Sequence, residues 1–291
     1  METLATQVLI CSLLTTIVFL SCPAMSQEVI KKGDAVKHDY GIEKNDAEFN
    51  YDMRSKKGPF HWGEIKPEWS QCQKGSMQSP IHLTNETIKI VSELGPLQVN
   101  YTARSHTTVV NKGHQIMMKW NESTNFLHIN GTQYLLKTSH WHSPSEHTLN
   151  GKRLDLEVHM VHESPSGQTA VIGTLYRVGE FPDALIDLVI HHLKDIPHIG
   201  DEMDVGPLDP NPMIKDVNSY YRYMGSLTTP PCTENVLWTL FKEVGTVTPE
   251  QLELLRKHLR HDSKANARPT QPLNNRLVEL NQPKNTTSDK N

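Results

Sequence analysis

The residues best suited to chemistry lie between Thr138 and His162, TSHWHSPSEHTLNGKRLDLEVHMVH, with histidines at 140, 142, 147, 159 and 162. On a strand successive side chains alternate, so His140 and His142 share one face and Trp141 takes the other. In the second half Leu154, Leu156, Val158 and Met160 mark one face, and Asp155, Glu157, His159 and Val161 mark the opposite one. Three imidazoles without a thiolate are the donor set of a catalytic rather than a structural zinc site, with the fourth tetrahedral position left to water. Glu157 shares the face of His159, where it can accept the second ring N–H and fix the tautomer. The competing reading is a hairpin with solvent-facing histidines.

The elements that must position these groups are two strands and a turn. Asn150-Gly151 is a strong hairpin signal, because both residues tolerate positive φ. With those two in the loop, Leu149 faces Lys152, which sets His142 opposite His159 and His140 on the adjacent diagonal. Cross-strand Cβ atoms are roughly 4.5–5.5 Å apart and diagonals about 7–8 Å, which suits three rings meeting at one ion. Pro144 cannot donate to a ladder and should interrupt the pairing locally.

Short apolar stretches separated by turn signals recur from Gln78 to Leu135, as an extensive antiparallel sheet requires. His114 follows Asn111-Lys112-Gly113 at a turn or bulge. Further strands are expected over Thr169–Arg177 and Val236–Val244. A helix is expected over Phe181–Leu193, its stripe formed by Leu185, Leu188, Val189 and Leu193 and with His191 and His192 on the surface. Thr248-Pro249-Glu250-Gln251 opens another helix with a capping box. Leu208–Tyr221 reads as a surface connection, Tyr223–Cys232 as a rigid loop offering Thr228 and Thr229, and Ala265–Arg276 as extended loop. The fold class is α+β and β-dominated: one domain on a large, mostly antiparallel twisted central sheet with short peripheral helices.

The 291 residues carry a net charge of −4 with no basic stripe or acidic block, which argues against a nucleic-acid partner and a solvating tail. The apolar run Val8–Leu20 followed by Ala24-Met25-Ser26 reads as a signal peptide over residues 1–26, too short to span a bilayer. Residues 27–57 read as a flexible leader, 58–279 as the domain and 280–291 as a disordered tail. The mature chain keeps Cys72 and Cys232, expected to close one disulfide in an oxidising compartment, two free thiols being the other reading. Sequons at Asn85, Asn100, Asn121, Asn130 and Asn285 fit a secreted glycoprotein.

Taken together, HWG at 61–63, QSP at 78–80, NKGH at 111–114, HWHSPSEHT at 140–148, LEVHMVHE at 156–163, GSLTTPPCTE at 225–234 and RPTQPLNNR at 268–276 resemble an α-class carbonic anhydrase of the plant-type secretory branch. The resemblance implies reversible, zinc-dependent hydration of CO2 to bicarbonate and a proton. In that chemistry zinc-bound hydroxide attacks CO2 held in an apolar pocket, and a histidine carries the proton away. It implies one Zn2+ on His140, His142 and His159; a gatekeeper pair in which Thr228 donates to Glu146; His114 as proton shuttle; and Thr229 with the Thr228 N–H at the substrate end. Val161, Val171, Leu227, Val236 and Trp238 would form the CO2 pocket, and Glu157, His147 and Tyr223 would support the ligands. It also implies a Cys72–Cys232 bridge and inhibition by sulfonamides and small anions. The location would be the cell exterior or, by the secretory route, the chloroplast.

Three positions depart from the family pattern. Thr138 replaces a Gln that hydrogen-bonds the first ligand, Glu64 sits near where the vertebrate cytosolic branch has a Tyr in the shuttle's water network, and Met117 replaces a polar wall residue. The alternative on the same scaffold is a non-catalytic protein of the yam-tuber storage type; such relatives typically lack one or more of the three ligands. Esterase activity would be a side reaction of the same site.

Overall fold

The computed structural model describes residues 48–121 and 123–282. The segment read as a signal peptide and the sequon at Asn285 lie outside these residues. A 13-stranded sheet dominates. Its continuous path runs Glu202–Leu208, Ser105–Asn111, Ile116–Trp120, Thr132–His142, Leu156–Glu163, Thr169–Val178, Glu234–Phe241, Tyr220–Ser226, Val278–Asn281, Ile88–Ile90. Most ladders are antiparallel. Thr169–Val178 pairs in parallel with Glu234–Phe241 and Gly245–Val247, and Val278–Asn281 pairs in parallel with Ile88–Ile90. Among the described residues no helix is long and apolar enough to cross a membrane.

Strand alternation divides the apolar residues between two faces. Leu156, Val158, Met160, Ala170 and Ile172 join the larger core, which also takes Leu185, Val189, Leu252 and Leu255 from the helices Ala184–Leu193 and Pro249–Lys257. Val171, Val236, Trp238 and Leu240 build a second cluster, flanked by Val161 and Leu227. The first helix starts at Ala184 rather than Phe181, because the Asp183 carboxylate caps the N–H groups of Leu185 and Ile186. That start turns Ile186 into the core and leaves Leu188 exposed, correcting the expected stripe. The second helix has the expected capping box between Thr248 and Gln251.

The hairpin turn forms as expected: Asn150 and Gly151 have φ of 47° and 80°, and Leu149 faces Lys152. The long arms do not keep that register. His140 faces His159, Trp141 faces Val158, and His142 faces Glu157. Between the short and long ladders the first arm holds five residues (143–147) and the second holds three (154–156), so the chain gains two residues on one side. The extra length falls at Ser143-Pro144-Ser145, where proline has no N–H for a ladder. A shift of two preserves every side chain's face, whereas a shift of one would have exchanged them.

Four further expectations need correction. Tyr220–Ser226, expected as surface connection and rigid loop, is a strand paired with Glu234–Phe241 and Val278–Asn281. Residues 48–57 are not a flexible leader: Phe49 and Tyr51 pack on Trp62 at ring-centroid distances of 5.3 and 5.4 Å, and the Trp62 indole N–H is shared by the carbonyls of Asn50 and Lys57. Gly58 allows this wrap, since a Cβ there would fall 2.0 Å from the Asp52 carbonyl oxygen. Leu280 and Asn281 are not tail but strand, paired with Tyr221 and Tyr220. Glu202–Leu208 forms the strand at one end of the sheet path, where no strand was expected.

Candidate metal centre

His140 and His142 end one strand, and His159 enters from its neighbour directly opposite His140. One ligand-capable atom from each lies within 4.8 Å of the others. The ring centroids are 5.0 Å (140–142), 5.3 Å (140–159) and 4.6 Å (142–159) apart. The His142 Nδ1–H donates to the Asn266 carbonyl at 2.7 Å, which leaves a buried Nε2 without a partner. His159 Nε2–H donates to Glu157 Oε1 at 2.8 Å, which leaves Nδ1 for the centre. Burial, reinforced by the neighbouring rings, holds the His140 pKa well below its ordinary value, and burial also lowers His142. Three imidazoles, each with an unengaged nitrogen near one point, fit a divalent zinc ion.

Glu157 anchors this arrangement. Burial alone would raise its pKa, but His147 and His159 reverse that and hold it well below the carboxylate range. Its Oε1 accepts from His147 Nδ1 at 2.7 Å as well as from His159, and its Oε2 accepts the backbone N–H groups of Glu146 and His147 at 2.8 Å. His147 Nε2 in turn meets the Tyr223 hydroxyl at 2.7 Å, and that hydroxyl meets Ser79 Oγ at 2.8 Å. The three residues expected to support the ligands therefore form one connected chain. His140 is the exception: its Nδ1 is buried with no partner, and Thr138, where a Gln would reach it, makes no bond to it.

Glu146 is fully buried, and its Oε1 accepts the Arg268 backbone N–H at 2.8 Å. Its Oε2 has no hydrogen-bond partner and lies 3.6 Å from His142 Nε2 and 3.8 Å from His159 Nδ1. The expected donation from Thr228 to this oxygen is not made. Thr228 is nevertheless buried, on the loop that the Cys72–Cys232 bridge ties down. In that loop the Cys232 N–H donates to the Thr229 carbonyl. Val161, Val171, Leu227, Val236 and Trp238 do come together in the second apolar cluster, and the Trp238 ring lies 4.8 Å from that of His159.

His114 is half-buried beside the Phe49 ring, and burial, followed by the charges of Arg260, His142 and Lys112, lowers its pKa to about 4. Glu64 does not stand in the cavity. Its side chain is 64% exposed and bonds to His61 and Gln73. The tyrosine on this side is Tyr51, buried with an unpartnered hydroxyl, its pKa raised well above the ordinary value by burial and by Glu146. The sequence reading missed Phe49 and Tyr51; two aromatics one residue apart in a polar stretch were the available signal. Asn85, Asn100, Asn121 and Asn130 are all exposed.

Residues 57–282 match the family model of the eukaryotic-type carbonic anhydrases. Alpha carbonic anhydrase 7 of Arabidopsis thaliana is 47% identical over 84% of this chain and 88% of its own length. Among solved structures, dioscorin complexed with ascorbate superposes with a TM-score of 0.78 at 40% identity, covering 82% of this chain and 100% of that one. The α-carbonic anhydrase of Thermovibrio ammonificans, in complex with the inhibitor sulfanilamide, gives a TM-score of 0.73 at 36% identity, over 81% of this chain and 100% of that one.

Proposed function

The chain belongs to the eukaryotic-type carbonic anhydrase family, and from that premise we propose that it catalyses the reversible hydration of CO2 to bicarbonate and a proton. The observation that carries this reading is the trio of imidazoles, each with a nitrogen free to face one point, beside an apolar wall. His140, His142 and His159 would hold one Zn2+. Bound there, zinc supplies a Lewis acid that brings the pKa of coordinated water to about 7.

The chain's own residues do the rest. CO2 is uncharged and offers little to hydrogen-bond, so Val161, Val171, Leu227, Val236 and Trp238 hold it by contact with their apolar surfaces. Glu146 Oε2, unpartnered in this structure, is the acceptor to which the buried Thr228 hydroxyl would turn, which would leave the threonine oxygen to accept from the attacking water and aim its lone pair at carbon. Thr229 and the Thr228 N–H line the substrate end. His114 carries the released proton toward buffer. The disulfide and the exposed sequons Asn85, Asn100, Asn121 and Asn130 support passage through the secretory pathway, which fractionation of a tagged protein tests.

A second reading, a dioscorin-like protein without turnover, is favoured by the TM-score of 0.78. Metal content and CO2-hydration rate, measured with and without a chelator or a sulfonamide, separate the two. The proposal expects one zinc per chain and a rate that both agents abolish. A fully metallated protein working at the uncatalysed rate overturns it in favour of the second reading.

A further inference from the structure

The backbone around His114 is pinned on three sides. The Gly113 N–H donates to Asn111 Oδ1 at 2.9 Å, the Gly113 carbonyl accepts the Arg260 backbone N–H at 2.8 Å, and the His114 carbonyl accepts from Asn266 Nδ2 at 2.8 Å. Gly113 itself has a φ of 76°, and a Cβ there would press on Ile199 at 2.9 Å. Movement at this site is therefore left to the imidazole.

The imidazole is covered. The Phe49 ring stands 4.9 Å from it, centroid to centroid, and tilted by 56°. Phe49 is in turn wedged edge-on by Trp62 at 5.3 Å and by Tyr51 and Trp69 at 6.0 Å each. Its carbonyl accepts from Arg260 Nη2 at 3.1 Å. Arg260 thus holds both partners: its main chain binds the loop of His114, and its guanidinium binds the segment that carries Phe49. Arg260, Lys112 and the ring of His142 are the charged and titratable groups that act on His114, and each disfavours a second positive charge there.

We propose that Phe49 is a positioning residue for proton exit, which together with Arg260 holds His114 against the aromatic cluster so that proton transfer waits for the imidazole to leave Phe49. The proposal rests on the reading of His114 as the relay and deepens it: the N-terminal segment sets how often the relay is open. Phe49 touches no substrate, and its removal changes the relay and leaves the hydration step itself alone.

The test uses the full mature chain with Phe49→Ala, Phe49→Tyr and, should the alanine variant fold poorly, Arg260→Gln, which cuts the side-chain tie to the Phe49 carbonyl. NMR titration follows the His114 ring protons. In Phe49→Ala and Arg260→Gln the midpoint should rise by about one pH unit or more, and Phe49→Tyr should restore the parent value. In dilute buffer kcat should rise about threefold or more while kcat/KM is unchanged, and the acceleration by added imidazole should shrink. A His114 midpoint unchanged in both releasing variants, or already near 6.5 in the parent, overturns the proposal. If no variant turns over CO2 even in saturating imidazole, the reading as an anhydrase fails, and the titration still decides whether Phe49 restrains His114.

Discussion

His159 and His162 lie on one strand, separated by Met160 and Val161, and both are almost wholly buried. Their surroundings differ because the strand alternates. His159 faces Glu157, His140, His142 and the Trp238 wall, with one nitrogen tied to a carboxylate and the other free for the centre. His162 faces the larger apolar core, where Nε2 meets the Tyr101 hydroxyl and Nδ1 donates to the Ala170 carbonyl at 3.3 Å. Both nitrogens of His162 are used and, among the described residues, no charged group acts on it, so burial lowers its pKa to about 4. Burial makes a histidine neutral. A carboxylate behind it and two further rings in front suit it to hold a metal.

The largest effect that would break this contrast is loss of a ring. His159→Ala should abolish zinc retention and reduce hydration to the uncatalysed rate, whereas His162→Phe should keep zinc at one per chain. Equal metal content in the two variants, by elemental analysis, would remove the distinction.

The next effect concerns the core histidine. Its folded pKa lies below the unfolded value of about 6.5, so the unfolded chain binds the proton first. Stability is full above that pH and declines as pH falls toward 4. His162 alone accounts for about 3 kcal/mol of that loss. Urea unfolding of the metal-free protein across this window should show the decline, and His162→Phe should reduce its slope. A parent protein equally stable at pH 7 and pH 4 contradicts the assignment.

The smallest expected effect lies within the site. His140 is the proposed ligand whose Nδ1 has no partner, so Thr138→Gln, which supplies an acceptor, should slow zinc loss to a chelator by up to about tenfold. An unchanged rate would mean that His140 is already oriented by packing alone.

Much of this was legible in the chain itself, for physical reasons that differ by element. The convergence of His140, His142 and His159 could be read because strand alternation fixes faces without knowledge of register, and the two-residue shift at Ser143–Ser145 left those faces untouched. The same shift explains why the pairing of His140 with His159 could not be read: an irregular segment adds length that no local pattern records. The disulfide and the Thr248–Gln251 capping box are pairwise or local rules and emerged as expected, whereas the Asp183 cap moved the start of the first helix. Phe49 and Tyr51 were hidden because their partners, Trp62 and the bridge, are distant in sequence and the stretch between is polar. Glu64 was misplaced because its contacts run to His61 and Gln73 on the surface.

The strand Val278–Asn281 has a consequence for how the molecule is made. It lies between Tyr220–Ser226 and Ile88–Ile90, holding an early and a late part of the polypeptide in one sheet. During synthesis the slot stays open until these strand residues leave the ribosome, and Ile88–Ile90, which has no other strand neighbour among the described residues, must wait for them. Folding of this domain is therefore completed only once residues 278–281 have emerged, and a chain stopped shortly before residue 278 would carry an unzipped margin, ready to pair with another nascent copy.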